Sequence, residues 1–294
     1  MQLTRRSSAE QVTKGIDLTG KMVLITGINS GIGHETARVL SLRGACVIGT
    51  ARSLDKATQA CSSFGSKAIP IACELTDLDS VRSALESIKS YTDQLDIIIA
   101  NAGIMALPKL ETANGLEKQF ATNHIGHFLL LTELLAQVKA AQSARIVIVS
   151  SSAHTGAPAG GIELDNLDGS RGYSAWRAYS QSKLANILFA NELARRLKDD
   201  GVMVNSLHPG VIATNLGRHM NPLLGVAFGI FGFWAMKNVG QGAATSCYLA
   251  VHPDVQGVTG KYFSDCKESK PLQLSQSEEL AAKLWERSEE LVAV

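Results

Sequence analysis

Short runs of β-branched and other apolar residues recur along the chain at Met22–Thr26, Cys46–Thr50, Lys67–Cys73, Leu95–Ala100, Arg145–Ser150, Val202–Leu207 and, more weakly, Gly260–Ser264. Nearly continuous in hydrophobicity, they predict seven strands buried on both faces. Between them apolar residues return at helical spacing over Gly31–Arg43, Leu54–Ser62, Leu78–Ser90, Leu116–Ala140, Ala175–Lys198 and Gln241–Val251, and a further helix, Glu278–Leu291, closes the chain. Gly, Asp, Asn or Ser marks the junctions. Strand and helix alternate without a linker or repeat, which predicts one parallel sheet covered by helices on both faces, an α/β doubly wound fold.

Composition supports a packed domain. Of 294 residues, 45% are hydrophobic and 19% charged, enough apolar material to exclude disorder and fibrous architecture. Lys plus Arg number 28 against 27 Asp plus Glu, a net charge of +1, so no bulk field points to nucleic acid or an acidic membrane. Arg5 and Arg6 are followed by polar residues rather than the apolar stretch of a secretory signal, so a cytoplasmic location is expected. The five Cys are scattered with no C-x-x-C pair, and read as reduced thiols with no metal site. The most apolar stretch, 223–236, is roughly 14 residues and falls short of the ~20 needed to span a bilayer.

In open α/β sheets ligands bind beyond the carboxyl ends of the strands, so chemistry is sought there. The first strand runs into Gly27, Asn29, Ser30, Gly31, Ile32 and Gly33, a G-x-x-x-G-x-G loop opening the first helix. Gly27 permits the tight turn, Gly31 a close approach to a pyrophosphate, and Gly33 close packing of helix on strand. The second strand ends in Ala51-Arg52, where an acidic residue would accept hydrogen bonds from a ribose 2′-hydroxyl. Arg52 instead suits a 2′-phosphate, which favours NADP(H) while leaving NAD(H) acceptable. Asn101, Ala102 and Gly103 follow the fourth strand and are small enough for a cofactor to lie against them. The fifth delivers Ser150-Ser151-Ser152, and the next helix carries Tyr179 and Lys183 on one face, four residues apart. A nearby ammonium is expected to lower the tyrosine pKa from ~10 toward the working range of a general acid or base.

T-G-x-x-x-G-x-G, N-A-G, Asn123, the serine cluster and Y-x-x-x-K, in that order, resemble the short-chain dehydrogenase/reductase family over nearly the whole chain. NHIGHFLL at 123–130, AYSQSKLANILFANEL at 178–193 and HPGVIATNL at 208–216 are similar to its retinol dehydrogenase and WW-domain oxidoreductase branch, here without a WW module. The resemblance implies a single-domain Rossmann fold over 1–294, with a seven-stranded parallel sheet in the order 3-2-1-4-5-6-7 and an amino-terminal extension over 1–18. It implies catalysis by Asn123, Ser151, Tyr179 and Lys183: Tyr179 transfers the proton, Lys183 binds the nicotinamide ribose, Ser151 holds the substrate oxygen and Asn123 binds water leading to the lysine. Ser151 is chosen over its neighbours because the family's serine is the second residue after the V-x-[IV] stretch, here Val147-Ile148-Val149. Pro209, Gly210 and Val211 would abut the nicotinamide, and Thr214 its carboxamide or the pyrophosphate. Glu74-Leu75 stands where the family commonly has Asp-Leu at the adenine, and His34 where the branch often has lysine, so Arg52 carries most of the 2′-phosphate inference.

The implied activity is reversible oxidoreduction between an aldehyde or ketone and an alcohol, by hydride transfer on a small apolar, retinoid-like molecule. Residues 215–238, with Phe228, Phe231, Phe233 and Trp234, are expected to fold over that substrate as a lid. A core helix, an oligomer contact and a membrane-surface patch are the alternatives for this segment. Family members often form homo-oligomers. A different class of answer is a dinucleotide-binding sensor or scaffold that keeps the fold without turnover, against which the intact Ser151, Tyr179, Lys183 and Asn123 argue.

Overall fold

The computed structural model describes residues 3–65, 67–212 and 236–293. Its central sheet contains β1 (Met22–Thr26), β2 (Cys46–Ala51), β3 (Ala68–Ala72), β4 (Ile97–Ala100), β7 (Arg145–Val149), β8 (Met203–His208), β9 (Tyr262–Ser264) and β10 (Lys267–Glu268). A separate two-residue ladder pairs β5 (Thr112–Ala113) with β6 (Leu116–Glu117). The order β10-β9-β8-β7-β4-β1-β2-β3 contains the predicted succession of seven parallel strands. The sheet has an eighth strand, however: β10 returns antiparallel to β9, with Lys267 opposite Ser264. Two exposed charged residues leave no apolar alternation from which to read it.

Alternate residues of each strand enter opposite layers. Leu24, Ile98, Ile146 and Ile148 face α4 (Leu78–Tyr91), α6 (Gly126–Thr132), α8 (Ala175–Arg196) and α10 (Glu278–Val292). Val23, Ile25, Ile97, Ile99, Val147 and Val149 face α2 (Gly31–Leu42), α3 (Leu54–Cys61) and α9 (Val239–Val251). Both faces are therefore dry, which is why β1, β2 and β4 carry almost no polar positions. The amino-terminal extension is part of this second layer. Its one-turn helix α1 (Ala9–Val12) is closed by a Ser8/Gln11 capping box and buries Ala9 and Val12.

The helix predicted over Leu116–Ala140 is broken. After β6 come α5 (Lys118–Phe120), a π-helical turn (Ala121–Ile125), α6, and then α7 (Leu135–Ala140). Gly126 starts α6 where a Cβ would stand 2.2 Å from the Leu75 carbonyl oxygen, so the turn comes against the loop after β3. Residue 123 sits inside the π-turn, at the carboxyl edge of the sheet.

Candidate active site

The loop after β1 is held to its neighbours by backbone. Gly27 and Ile28 donate to the Thr50 carbonyl at 2.9 and 3.0 Å, stapling the loop to the end of β2. Gly27 and Gly31 have φ of +72° and +61°, which favours glycine at both. A Cβ on Gly33 would stand 2.3 Å from Gly27 O and 2.4 Å from Asn101 Nδ2. Asn29 and Ser30 are exposed at the tip, and Ser30, the N-cap of α2, makes no side-chain cap bond, so amides at that helix start face outward. Asn101 turns inward instead: its Nδ2 donates to Thr26 O at 2.9 Å, while Asn101 N and Ala102 N donate to the buried Thr26 hydroxyl. Side chains thus hold the loops and leave backbone to face a ligand, as a dinucleotide pyrophosphate requires.

Arg52 follows β2 and is exposed, and Ser53, the N-cap of α3, makes no side-chain cap bond. His34 hydrogen-bonds Ser63 Oγ at 3.2 Å and packs on Phe64; burial lowers its pKa, so it adds no positive charge at neutral pH. Glu74 is turned to its own loop, accepting from Thr76 N at 3.2 Å and Thr76 Oγ1 at 2.9 Å. Leu75 is buried beneath the π-turn.

The other half of the site is built from buried side chains. Tyr179 and Lys183, each 4% exposed, share one face of α8, with Nζ 5.8 Å from the phenol ring centroid. Lys183 Nζ donates to Val149 O at 3.1 Å, and Asn186 Nδ2 reaches the same oxygen at 3.0 Å. The three serines diverge. Ser150 Oγ is buried and donates to Lys183 O at 2.6 Å, Ser152 is exposed, and the half-buried Ser151 hydroxyl is near enough to Tyr179 to lower its pKa. Ser151 Oγ also accepts from Ala153 N at 3.2 Å, its carbonyl is met by His154 Nδ1 at 2.6 Å, and Ser152 N donates to His208 Nδ1 at 3.1 Å.

Asn123 is fully buried and its amide is well occupied. Nδ2 donates to Ile104 O at 3.0 Å and to Ser182 Oγ at 2.9 Å, and Oδ1 accepts from Ile104 N at 2.9 Å. Both amide hydrogens clamp the turn after β4 onto α8, so a water can use only the second lone pair of Oδ1. Gly103 lies against this group: a Cβ there would stand 3.0 Å from Asn123 Oδ1 and 3.4 Å from Lys183 Nζ. The glycine cradle and the Asn123 and Lys183 side chains meet at that glycine.

Burial governs the titration of both central groups. Tyr179 is pushed up to about 12 by desolvation, opposed by the Ser151 hydrogen bond, and Lys183 is pushed down to about 8 by desolvation. Tyr179 is therefore raised, not lowered as its spacing from Lys183 led one to expect, because the cost of burying a phenolate dominates.

Pro209 is buried after β8, with Gly210 at φ +101° and Val211 49% exposed. Lys237, buried and ion-paired with Asp265 at 2.6 Å, packs its stem on Gly210 and donates to Pro209 O at 3.3 Å. Thr214 and most of the expected lid, 215–235, lie outside the described residues.

The family described as short chain dehydrogenase matches residues 21–223. The chain is 44% identical to "Short-chain dehydrogenase TIC 32 B, chloroplastic" of Brassica napus, over 97% of this chain and 93% of that protein. It is 42% identical to retinol dehydrogenase 14 of Mus musculus, over 94% and 86% of the respective chains. The crystal structure of an uncharacterized protein from Mycobacterium paratuberculosis superposes with a TM-score of 0.76 at 33% identity, over 96% of this chain and 97% of that one. This chain belongs to the short-chain dehydrogenase family.

As a short-chain dehydrogenase it is an NAD(P)-dependent oxidoreductase acting on CH–OH groups. NAD(P) fits the residues present: Gly27, Gly31 and Gly33 would leave room for its pyrophosphate, and Gly103 adjoins Lys183. Among the described residues no helix is long and apolar enough to cross a membrane. Sequence reasoning about this short-chain dehydrogenase missed Thr26, His127, His154, Asn186 and Lys237. Thr26 stood in the T-G-x-x-x-G-x-G motif without a role of its own, and the others read as ordinary helix or loop polar residues.

Proposed function

We propose that this short-chain dehydrogenase interconverts an aldehyde or ketone and an alcohol on an apolar small molecule, with NADP(H) preferred and Tyr179 passing the proton. The observation that carries the reading is the cluster of half-buried Ser151 with buried Tyr179 and Lys183, in which the serine hydroxyl lowers the pKa of the phenol and the ammonium lies by its ring. A bound dinucleotide supplies or accepts the hydride. With its pKa raised to about 12, Tyr179 holds its proton at neutral pH and is a donor to a carbonyl oxygen. Ser151 Oγ is a second donor to the developing oxyanion, and Lys183 steadies the phenolate left behind.

Arg52 and the uncapped start of α3 support recognition of a 2′-phosphate. Trp176, 42% exposed, stands edge-on to Tyr179 with ring centroids 6.1 Å apart, and favours an apolar substrate. Relatives named for retinol support the same class.

The test mixes the protein with each reduced dinucleotide and a panel of aldehydes and ketones, retinal included, and follows cofactor absorbance. Oxidation of NADPH faster than NADH with an apolar carbonyl is expected. Tight dinucleotide binding without oxidation by any carbonyl would overturn the reading in favour of a sensor. Sedimentation at low micromolar concentration tests the homo-oligomer that this reading also includes.

A further inference from the structure

His127, fully enclosed under the site, touches both halves of it. Its Nε2 lies 2.8 Å from Thr26 Oγ1, and its Nδ1 lies 3.1 Å from the Asn123 carbonyl oxygen. The Thr26 hydroxyl fixes the direction of these bonds. Asn101 N, at 2.9 Å, and Ala102 N, at 3.0 Å, can only donate, and they occupy the two lone pairs of Oγ1. The hydroxyl proton must then go to His127 Nε2, which leaves the ring hydrogen on Nδ1 to donate to Asn123 O. The hydrogen bonds run one way, from the amides of the N-A-G turn through Thr26 and the imidazole to the π-turn, where the Asn123 amide grips Ile104 and Ser182.

We propose that His127 is a positioning residue: its Nε2 holds the cofactor turn through Thr26, and its Nδ1–H holds the Asn123 turn. An aliphatic side chain would fill the space and satisfy neither segment.

Two substitutions separate the arms. His127→Asn keeps an N–H near the Nδ1 position and loses the acceptor for Thr26. His127→Gln keeps an acceptor near Nε2 and loses the donor to Asn123. Each lost bond is worth about one power of ten. His127→Asn is expected to weaken NADPH binding, read by fluorescence titration, about tenfold with kcat within about threefold. His127→Gln is expected to lower kcat about tenfold with NADPH affinity within about threefold. The kcat arm rests on the carbonyl reductase reading above, whereas the binding arm does not. A wild-type protein that binds NADPH without turnover defeats that reading and leaves the binding arm decisive.

Equal losses in both variants, or none, overturn the proposal. Should either variant fail to fold, the imidazole 15N shifts of the wild-type protein decide. They are expected to show one buried ring among the seven His protonated at Nδ1 and bonded to a hydroxyl at Nε2. A Nε2–H tautomer at His127 overturns the assignment.

Discussion

The glycine loop and the proposed catalytic face sit side by side at the same edge of the sheet yet are built from opposite materials. Around Gly27–Gly33 and Asn101–Gly103, side chains such as Thr26 and Asn101 turn inward to bind backbone, and the main chain faces outward. Around α8 the atoms proposed to do the chemistry belong to the side chains of Ser151, Tyr179 and Lys183, and backbone such as Val149 O holds them. A region that recognises through backbone is damaged by adding atoms. One that works through side chains is damaged by removing them.

The sharpest break of that contrast comes at Tyr179. Removing one oxygen, Tyr179→Phe, is expected to lower turnover at least about 10²–10³-fold while NADPH affinity stays within about threefold. A variant keeping most of its turnover would refute the division. On the other side, adding one carbon, Gly33→Ala, forces a Cβ to 2.3 Å from Gly27 O and should weaken NADPH binding about 10²-fold with some loss of thermal stability. Gly160→Ala is the control, with nothing within 4 Å of its Cβ, and should change neither.

The join between the regions is expected to be sensitive to acid. Burial holds His127 down to about 4 in the folded chain, below an unfolded value near ~6.5, so the neutral ring favours folding above that value. Its contribution, about 3 kcal/mol, is lost as pH falls from ~6.5 toward 4, where the unfolded chain takes up the proton first. Thermal melts across that range are expected to fall, and the fall to be shallower in His127→Asn.

Alkali tests the catalytic face. With Lys183 at about 8, kcat/KM for the cofactor, which reports the free protein, should decline up to tenfold per pH unit above that value as the ammonium is lost. A profile flat to pH 10 would separate Lys183 from cofactor binding. The smallest effect is expected at exposed Arg52. Arg52→Ala should cut the preference for NADPH over NADH about tenfold, and an unchanged ratio would remove the 2′-phosphate assignment.

What was legible differs by element. Met22–Thr26 and Arg145–Val149 stand out because strands dry on both faces carry apolar side chains at nearly every step, Thr26 and Arg145 at their ends excepted. Gly27, Gly33, Tyr179 and Lys183 stand out because their spacing is local, set by one turn or one helix. The break in Leu116–Ala140 was hidden: buried residues surround the π-turn on all sides, so helical spacing continues through it. The choice among Ser150, Ser151 and Ser152 came only from resemblance. Three equal side chains in a row differ solely in which way the strand end aims them.

Local spacing and strand-wise hydrophobicity therefore determined the doubly wound sheet, the glycine loop and the tyrosine and lysine face. The tertiary structure alone decided that Ser151 meets the phenol, that Asn123 spends its amide on Ile104 and Ser182, and that His127 joins Thr26 to the π-turn. The reason is range: spacing is written within one element, whereas Thr26 and His127 stand 101 residues apart in the chain and become neighbours only when β1 and the π-turn pack at the same sheet edge.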